Sequence, residues 1–133
     1  MRDIPIVQVM TPDPATISPQ SSAAEARRLL NSIVINHLPV VEDGRLVGIV
    51  SSADFLKLYL LDGKLPIASD ASVAQIMETK LIVVKDDATL RDAAEKLSVG
   101  GFHALPVVGR RQKLVGIVTS SDLIGKLVSR LDL

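Results

Sequence analysis

The 133-residue sequence has no cysteine, no tryptophan, one tyrosine and two phenylalanines. Without cysteine there is neither a disulfide frame nor a thiolate metal site, which suits a reducing compartment. Aromatics make up 2% of the chain against 47% hydrophobic residues, so the core must be packed from Val, Ile, Leu and Ala. Charge of one sign is also missing: fifteen basic residues balance fifteen acidic ones. No long single-sign block gives the electrostatic footprint of a dedicated nucleic-acid binder. No apolar run approaches the ~20 residues of a membrane span, and Met1, Arg2, Asp3 do not open a signal peptide. The expectation is a soluble, cytoplasmic chain with no nucleic-acid and no membrane partner. Nucleophile elbow, Walker loop, metal pair and paired carboxylates are all missing, which points away from an enzyme.

What is present is a duplication. Val9-Met10-Thr11 answers Ile76-Met77-Glu78, and Leu38-Pro39-Val40-Val41 answers Leu105-Pro106-Val107-Val108, both at an offset of 67 residues. Gly48-Ile49-Val50-Ser51-Ser52-Ala53-Asp54 answers Gly116-Ile117-Val118-Thr119-Ser120-Ser121-Asp122 at an offset of 68. The extra residue falls in a loop, Glu42–Arg45 in copy one and Gly109–Lys113 in copy two, where insertion is cheap. The division is residues 1–62 as repeat one, 63–71 as linker and 72–133 as repeat two. Each copy has only about sixty residues, too few for a large core of its own.

Both copies read alike locally. Ala15–Ile17 or Leu81–Val84 forms a first strand. A helix then starts at the capping box Ser22…Glu25 or its relative Thr89…Asp92. Ala23, Ala26, Leu29, Leu30 and Ile33 lie on one helical stripe, as do Leu90, Ala93, Ala94 and Leu97. Gly100-Gly101 supplies a left-handed stop. Two strands follow, Pro39–Val41 and Leu46–Val50, joined by the Asp43-Gly44 turn. A last helix runs from Asp54 to about Leu61, or from Asp122 towards Leu131. Ser72–Met77 is a short lead-in helix with Pro5–Met10 as its counterpart. The fold class is α/β (α+β), β-α-β-β-α twice.

The order Met10-Thr11-Pro12, Leu-Pro-Val-Val and Gly-Ile-Val-Ser/Thr-x-x-Asp in each copy closely resembles the CBS domain, which occurs in tandem pairs called Bateman modules. The resemblance covers nearly the whole chain and implies a stand-alone CBS protein. It further implies two repeats packed through their sheets with pseudo-twofold symmetry, leaving two clefts for AMP, ADP, ATP, S-adenosylmethionine or a similar ligand. It implies a regulatory role, an unidentified protein partner and no cofactor beyond the ligand.

The residues fit that chemistry. A strand ending in hydroxyls and a carboxylate opens a helix whose N-terminus attracts phosphate, with Thr119 and Ser121 as hydroxyl donors. Asp122 can accept from both ribose hydroxyls; otherwise Ser120, Ser121 and Asp122 only cap the helix. Ile82, Val83, Ala104, Leu105 and Pro106 would wall a purine, or serve as core. His103 occupies a position where adenylate-sensing members resemble this chain in directing a basic group at the phosphates; otherwise it is a structural hydrogen-bonder. The weaker site on repeat one uses Thr16, Ile17, His37, Leu38, Pro39, Ser51 and Asp54, with Asn36 in the slot of His103 and Ala53 in that of Ser121. His37 and His103 make no recognised metal set. Arg110, Arg111 and Lys113 form a solvated loop tip or reach phosphates. Surplus apolar positions, Phe55, Leu56, Tyr59 and Leu60 with Leu123, Ile124, Leu127, Val128 and Leu131, imply a homodimer. The competing reading is an assembly protein with vestigial clefts.

Overall fold

A computed structural model describes residues 4–32, 36–55, 71–100 and 103–130. The chain forms two compact units, one joining Met1–Pro14 to Ile82–Leu133 and the other spanning Ala15–Leu81.

The first unit is built on a four-stranded sheet. Its strands are β1 (Thr11–Pro12), β4 (Val84–Lys85), β5 (Ala104–Val108) and β6 (Leu114–Thr119), in the order β1-β6-β5-β4. β5 and β6 form an antiparallel hairpin, and β4 lies parallel to β5. Every residue of β5 is buried, as a central β-branched and leucine-rich strand requires. Helix α3 (Leu90–Ser98) begins at the reciprocal capping box of Thr89 and Asp92, and Gly100 at φ 89° ends it. Helix α4 (Ser120–Arg130) closes the unit.

The lead-in of repeat one completes this unit. Ile4 and Ile6 are buried with Leu90, Leu105, Val107, Val118 and Leu123. Burying such a side chain is worth about 1.5–3 kcal/mol. Ile6 N–H donates to Ala88 O at 2.8 Å and Leu90 N–H to Ile4 O at 2.7 Å. Thr11 pairs with Ile117 and Pro12 with Gly116. A Cβ on Gly116 would stand 2.9 Å from Thr11 O and 3.0 Å from Met10 Cγ, so glycine here admits the lead-in rather than a turn.

The second unit repeats the plan. β2 (His37–Glu42) and β3 (Arg45–Ser51) form a hairpin, turned by Asp43 and Gly44 at φ 53° and 79°, the twist-matched two-residue geometry. Ile17 bridges Val40 in parallel. Helix α1 (Ala23–Ser32) buries Ala23, Ala26 and Leu30. Helix α2 (Val73–Ile76), capped by Ser72 and Gln75, buries Val73 in the same core. Glu78 bridges Ile49, and a Cβ on Gly48 would meet Met77 Sδ at 2.5 Å.

The compact units therefore cut across the sequence repeats. Residues 4–14 open repeat one but pack with the body of repeat two, and residues 72–81 open repeat two but pack with the body of repeat one. Several expectations need correction. The last helix of repeat two starts at Ser120 rather than Asp122, because Thr119 is the cap and Asp122 the third helical residue. Of Leu81–Val84 only Val84 joins the ladder, continuing to Lys85. Since Val84 pairs with Val107 and Ile17 with Val40, Ile17 corresponds to Val84 and Thr16 to Val83; setting Ile82-Val83 against Thr16-Ile17 is one residue out. Ala94 is exposed and Leu97 only half-buried, so the α3 stripe is narrower than its periodicity implied. The longer loop of repeat two, far from neutral, places Arg111 and Gln112 at φ 54° and 65°, a left-handed backbone costing about 1–2 kcal/mol per residue. Ile33, Gly101, residues 63–70 of the linker, Leu131 and the expected helix beyond Phe55 lie outside the described residues.

Candidate ligand-binding sites

The first unit brings its polar predicted residues together at one strand–helix junction. β6 ends at Thr119 where α4 begins. Thr119 N–H donates to Asp122 Oδ2 at 2.8 Å, and Asp122 N–H donates to Thr119 Oγ1 at 3.1 Å. This reciprocal box satisfies two helix donors and leaves the Thr119 hydroxyl proton to be directed elsewhere. Ala104 stands opposite Thr119, which carries the entrance of β5 to the same place. Ser120 N–H donates to His103 O at 2.9 Å, with Ser120 Oγ at 3.5 Å from the same carbonyl. His103 and Ser121 are exposed, while Thr119 and Asp122 are partly buried. Asp122 is thus the third-residue partner of the Thr119 cap.

The apolar residues divide. Leu105 is fully buried and Ala104 nearly so, and Pro106 is buried with them. Their side chains belong to the core, and they can offer a ligand chiefly backbone. Ile82 is 45% exposed and Val83 half-buried, just before β4. Continuing the β4–β5 register sets Val83 beside Pro106 and Ile82 beside Leu105. Val83 O accepts from Lys96 Nζ at 2.6 Å. Sequence reasoning passed over Lys96, whose only signal is a basic residue in the last turn of a helix covering an edge strand.

The second unit holds the matching junction. Ser51 N–H donates to Asp54 Oδ2 at 2.7 Å and Ser51 Oγ donates to the same oxygen at 3.2 Å. Ser52 N–H donates to Asn36 O at 3.3 Å, so Asn36 does occupy the place of His103. Ala53 is exposed and brings no hydroxyl. His37 is half-buried opposite Ser51. Leu38 and Pro39 are buried. Ile17 N–H donates to Pro39 O at 3.1 Å and Ile17 O accepts from Val41 N–H at 2.9 Å, while Thr16 is exposed.

No group of three or more His, Cys, Asp or Glu among the described residues could hold a metal ion. No helix among them is long and apolar enough to cross a membrane.

Two α+β units from duplicated sequence, each with an acid-capped strand–helix junction beside a hairpin, define the class: a tandem-repeat module. The CBS domain profile matches residues 2–61 and 73–129, and the chain belongs to the CBS domain family. CBSX2, a CBS-pair protein of Arabidopsis thaliana, was solved in complex with AMP; it is 31% identical, with 95% of this chain and 97% of that one covered and a TM-score of 0.83. The CBS domain pair of protein MJ0100, solved with 5′-methylthioadenosine and S-adenosyl-L-methionine, is 32% identical at a TM-score of 0.78, covering 94% and 95% of the two chains. A homoserine O-acetyltransferase of Methanohalobium evestigatum is 34% identical over 119 residues, 89% of this chain but 23% of that protein's length. The chain thus spans about a quarter of this curated relative.

Proposed function

We propose that this CBS pair is a non-catalytic regulatory module that binds an adenine nucleotide of the AMP, ADP or ATP type and reports cellular energy state to a protein partner in the cytoplasm. The observation that carries this reading is the Thr119–Asp122 junction. One carboxylate oxygen is engaged by the cap, and a carboxylate has acceptor positions for about four hydrogen bonds, enough for both ribose hydroxyls. Thr119 and Ser121 can supply hydroxyl donors at a helix N-terminus that favours phosphate, and His103, whose carbonyl meets that N-terminus through Ser120 N–H, would add its imidazole. Solved relatives holding AMP or S-adenosylmethionine support the adenosyl part of the reading.

Thermal-shift and calorimetric titration with AMP, ATP, NAD and S-adenosylmethionine test it. A ligand confined to the native state stabilises by about 2.7 kcal/mol at a hundred times its Kd. Stabilisation by AMP or ATP is expected. Stabilisation by S-adenosylmethionine alone would make the module an adenosyl sensor of a different kind, and none by any adenosyl ligand would favour the assembly reading. That reading has its own observation: on α4, Ile124 is 60% and Val128 58% exposed. This face is the proposed homodimer surface, compatible with ligand binding, and a monomeric mass by light scattering at tens of micromolar would remove it.

A further inference from the structure

We propose that Lys96 is a positioning residue for the ligand site of the first unit, holding Ile82 and Val83, which would wall the purine; the inference rests on the adenosine reading above. In the second unit both polar groups of Ile17 face β2. Val84 is its counterpart, so strand alternation turns the carbonyl of Val83 to the open edge of the sheet, away from β5. A groove of about 580 Å³ runs between that edge and α3, lined by Val84, Lys85, Asp92, Glu95, Lys96 and Val99 among others. Lys96 reaches across to place its ammonium on Val83 O at 2.6 Å. An ammonium on a carbonyl is a charge-assisted bond, stronger than a neutral one.

The consequence is local. Ile82 and Val83 lie outside the β-ladder, and the β4–β5 register, continued, sets them toward Leu105 and Pro106, whose side chains are committed to the core. What a flat base meets there is the Ile82 side chain and backbone, and their position depends on how Val83 is fixed. In repeat one the offset of 67 residues puts Leu29 in the place of Lys96 and Thr16 in that of Val83. Leu29 packs against the second core and has no donor for a carbonyl. The strut therefore belongs to one unit and pre-organises one site, which lowers the ordering cost of binding there.

The test compares wild type with Lys96→Met, which keeps the aliphatic stem, and Lys96→Arg, which restores a donor. Arg91→Met on the same helix, which removes the exposed Arg91–Glu95 pair and, like the Lys96 variant, one positive charge near Asp92, but leaves the Lys96–Val83 bond in place, serves as the control. AMP affinity is read by calorimetry, the site in use by the His103 ring resonances, and the fixing of the segment by amide exchange at Val83 and Val84. Lys96→Met should weaken AMP about three- to tenfold at the His103 site, the range expected for one hydrogen bond. Amide exchange should become faster, Lys96→Arg should recover most of the loss, and Arg91→Met should behave as wild type. Unchanged or tighter AMP binding by Lys96→Met, with wild type binding normally, overturns the inference alone. No AMP uptake by wild type removes the adenosine reading and this inference with it.

Discussion

The two strand–helix junctions share a sequence pattern and differ in how they spend their hydrogen bonds. In the second unit the Ser51 hydroxyl donates to Asp54 Oδ2, which also takes the Ser51 N–H. Donor and acceptor are consumed on each other. In the first unit Thr119 Oγ1 accepts from Asp122 N–H instead, and Asp122 Oδ2 carries the backbone bond from Thr119, which leaves the Thr119 hydroxyl able to donate to a ligand. A motif that reads as Gly-Ile-Val-Ser/Thr-x-x-Asp in both copies thus has one self-satisfied version and one with capacity to spare. Ala53 for Ser121 and Asn36 for His103 widen the gap.

The sharpest way to break this comparison is to remove each carboxylate. Asp122→Ala should lower adenine-nucleotide affinity about ten- to a hundredfold, the worth of hydrogen bonds to a charged group. It should also cost about 1 kcal/mol of stability through the lost cap, a few degrees in Tm for a domain of this size. Asp54→Ala should cost comparable stability with much less affinity. Calorimetry and melting of both variants check the pair; equal affinity losses would show that the junctions are equivalent, and a melting effect without an affinity effect would leave Asp122 a cap only.

The lead-in contacts give the next largest effect. A Cβ at Gly116 meets Thr11 O at 2.9 Å, and a backbone oxygen paired into a sheet cannot move without opening the ladder. At Gly48 the contacts inside 3 Å are both from the Met77 side chain, with Glu78 O at 3.2 Å, and a thioether can swing aside. Gly116→Ala should therefore destabilise by about 1–3 kcal/mol, as overpacking does, and Gly48→Ala by less. Denaturant midpoints compare them; the reverse order would mean that the lead-in of residues 4–14 yields more easily than that of residues 72–81.

Below these comes the inequality of the wild-type sites. Each hydrogen bond to a charged oxygen present at one junction and absent at the other separates the affinities by about tenfold. A titration should resolve a tighter site at Asp122, and two equal sites per chain, or occupancy beside Asp54 alone, would reverse the ranking.

What was legible in the sequence was what is encoded locally. The Asp43-Gly44 turn, the Thr89…Asp92 box, the Gly100 stop and the duplication all follow from residue type and spacing. The exchange of lead-ins was not legible. Ile4 and Ile6 show that a segment is apolar, not which core it enters, and the choice lies in the shape of a surface assembled from residues 84–123. The start of α4 was misplaced for a related reason: a capping box has two polar partners three residues apart, Thr119 and Asp122, and the carboxylate draws the eye although the hydroxyl residue is the cap. Lys96 was missed because a lysine in a last helical turn already has a sufficient local explanation in the helix dipole.

The helix starts of α1 and α3 offer the mildest comparison. In α1 the Ser22 hydroxyl accepts from Glu25 N–H at 3.1 Å, and the Glu25 carboxylate lies 3.8 Å from Arg28. In α3 the box is reciprocal: Asp92 N–H donates to Thr89 Oγ1 at 3.3 Å and Asp92 Oδ2 accepts from Thr89 N–H at 2.9 Å. The backbone N–H of Thr89, then its hydroxyl, hold the Asp92 carboxyl below its ordinary value of 3.8, with Lys96 and Arg91 adding to the effect and desolvation opposing it. A carboxylate with a folded-state pKa below its unfolded one stabilises fully only well above the unfolded value, and the contribution is lost as pH falls through the folded one. Asp92→Asn keeps an oxygen acceptor for Thr89 N–H and removes the charge. It should lower Tm slightly at neutral pH, by less than Gly116→Ala does, and the difference from wild type should shrink as pH drops below 3.8 and vanish once Asp92 is protonated in both states. Melting curves from pH 7 to pH 2 check this. A difference that stays constant across the range would mean that the charge of Asp92 contributes nothing and that the shape of the cap alone starts α3.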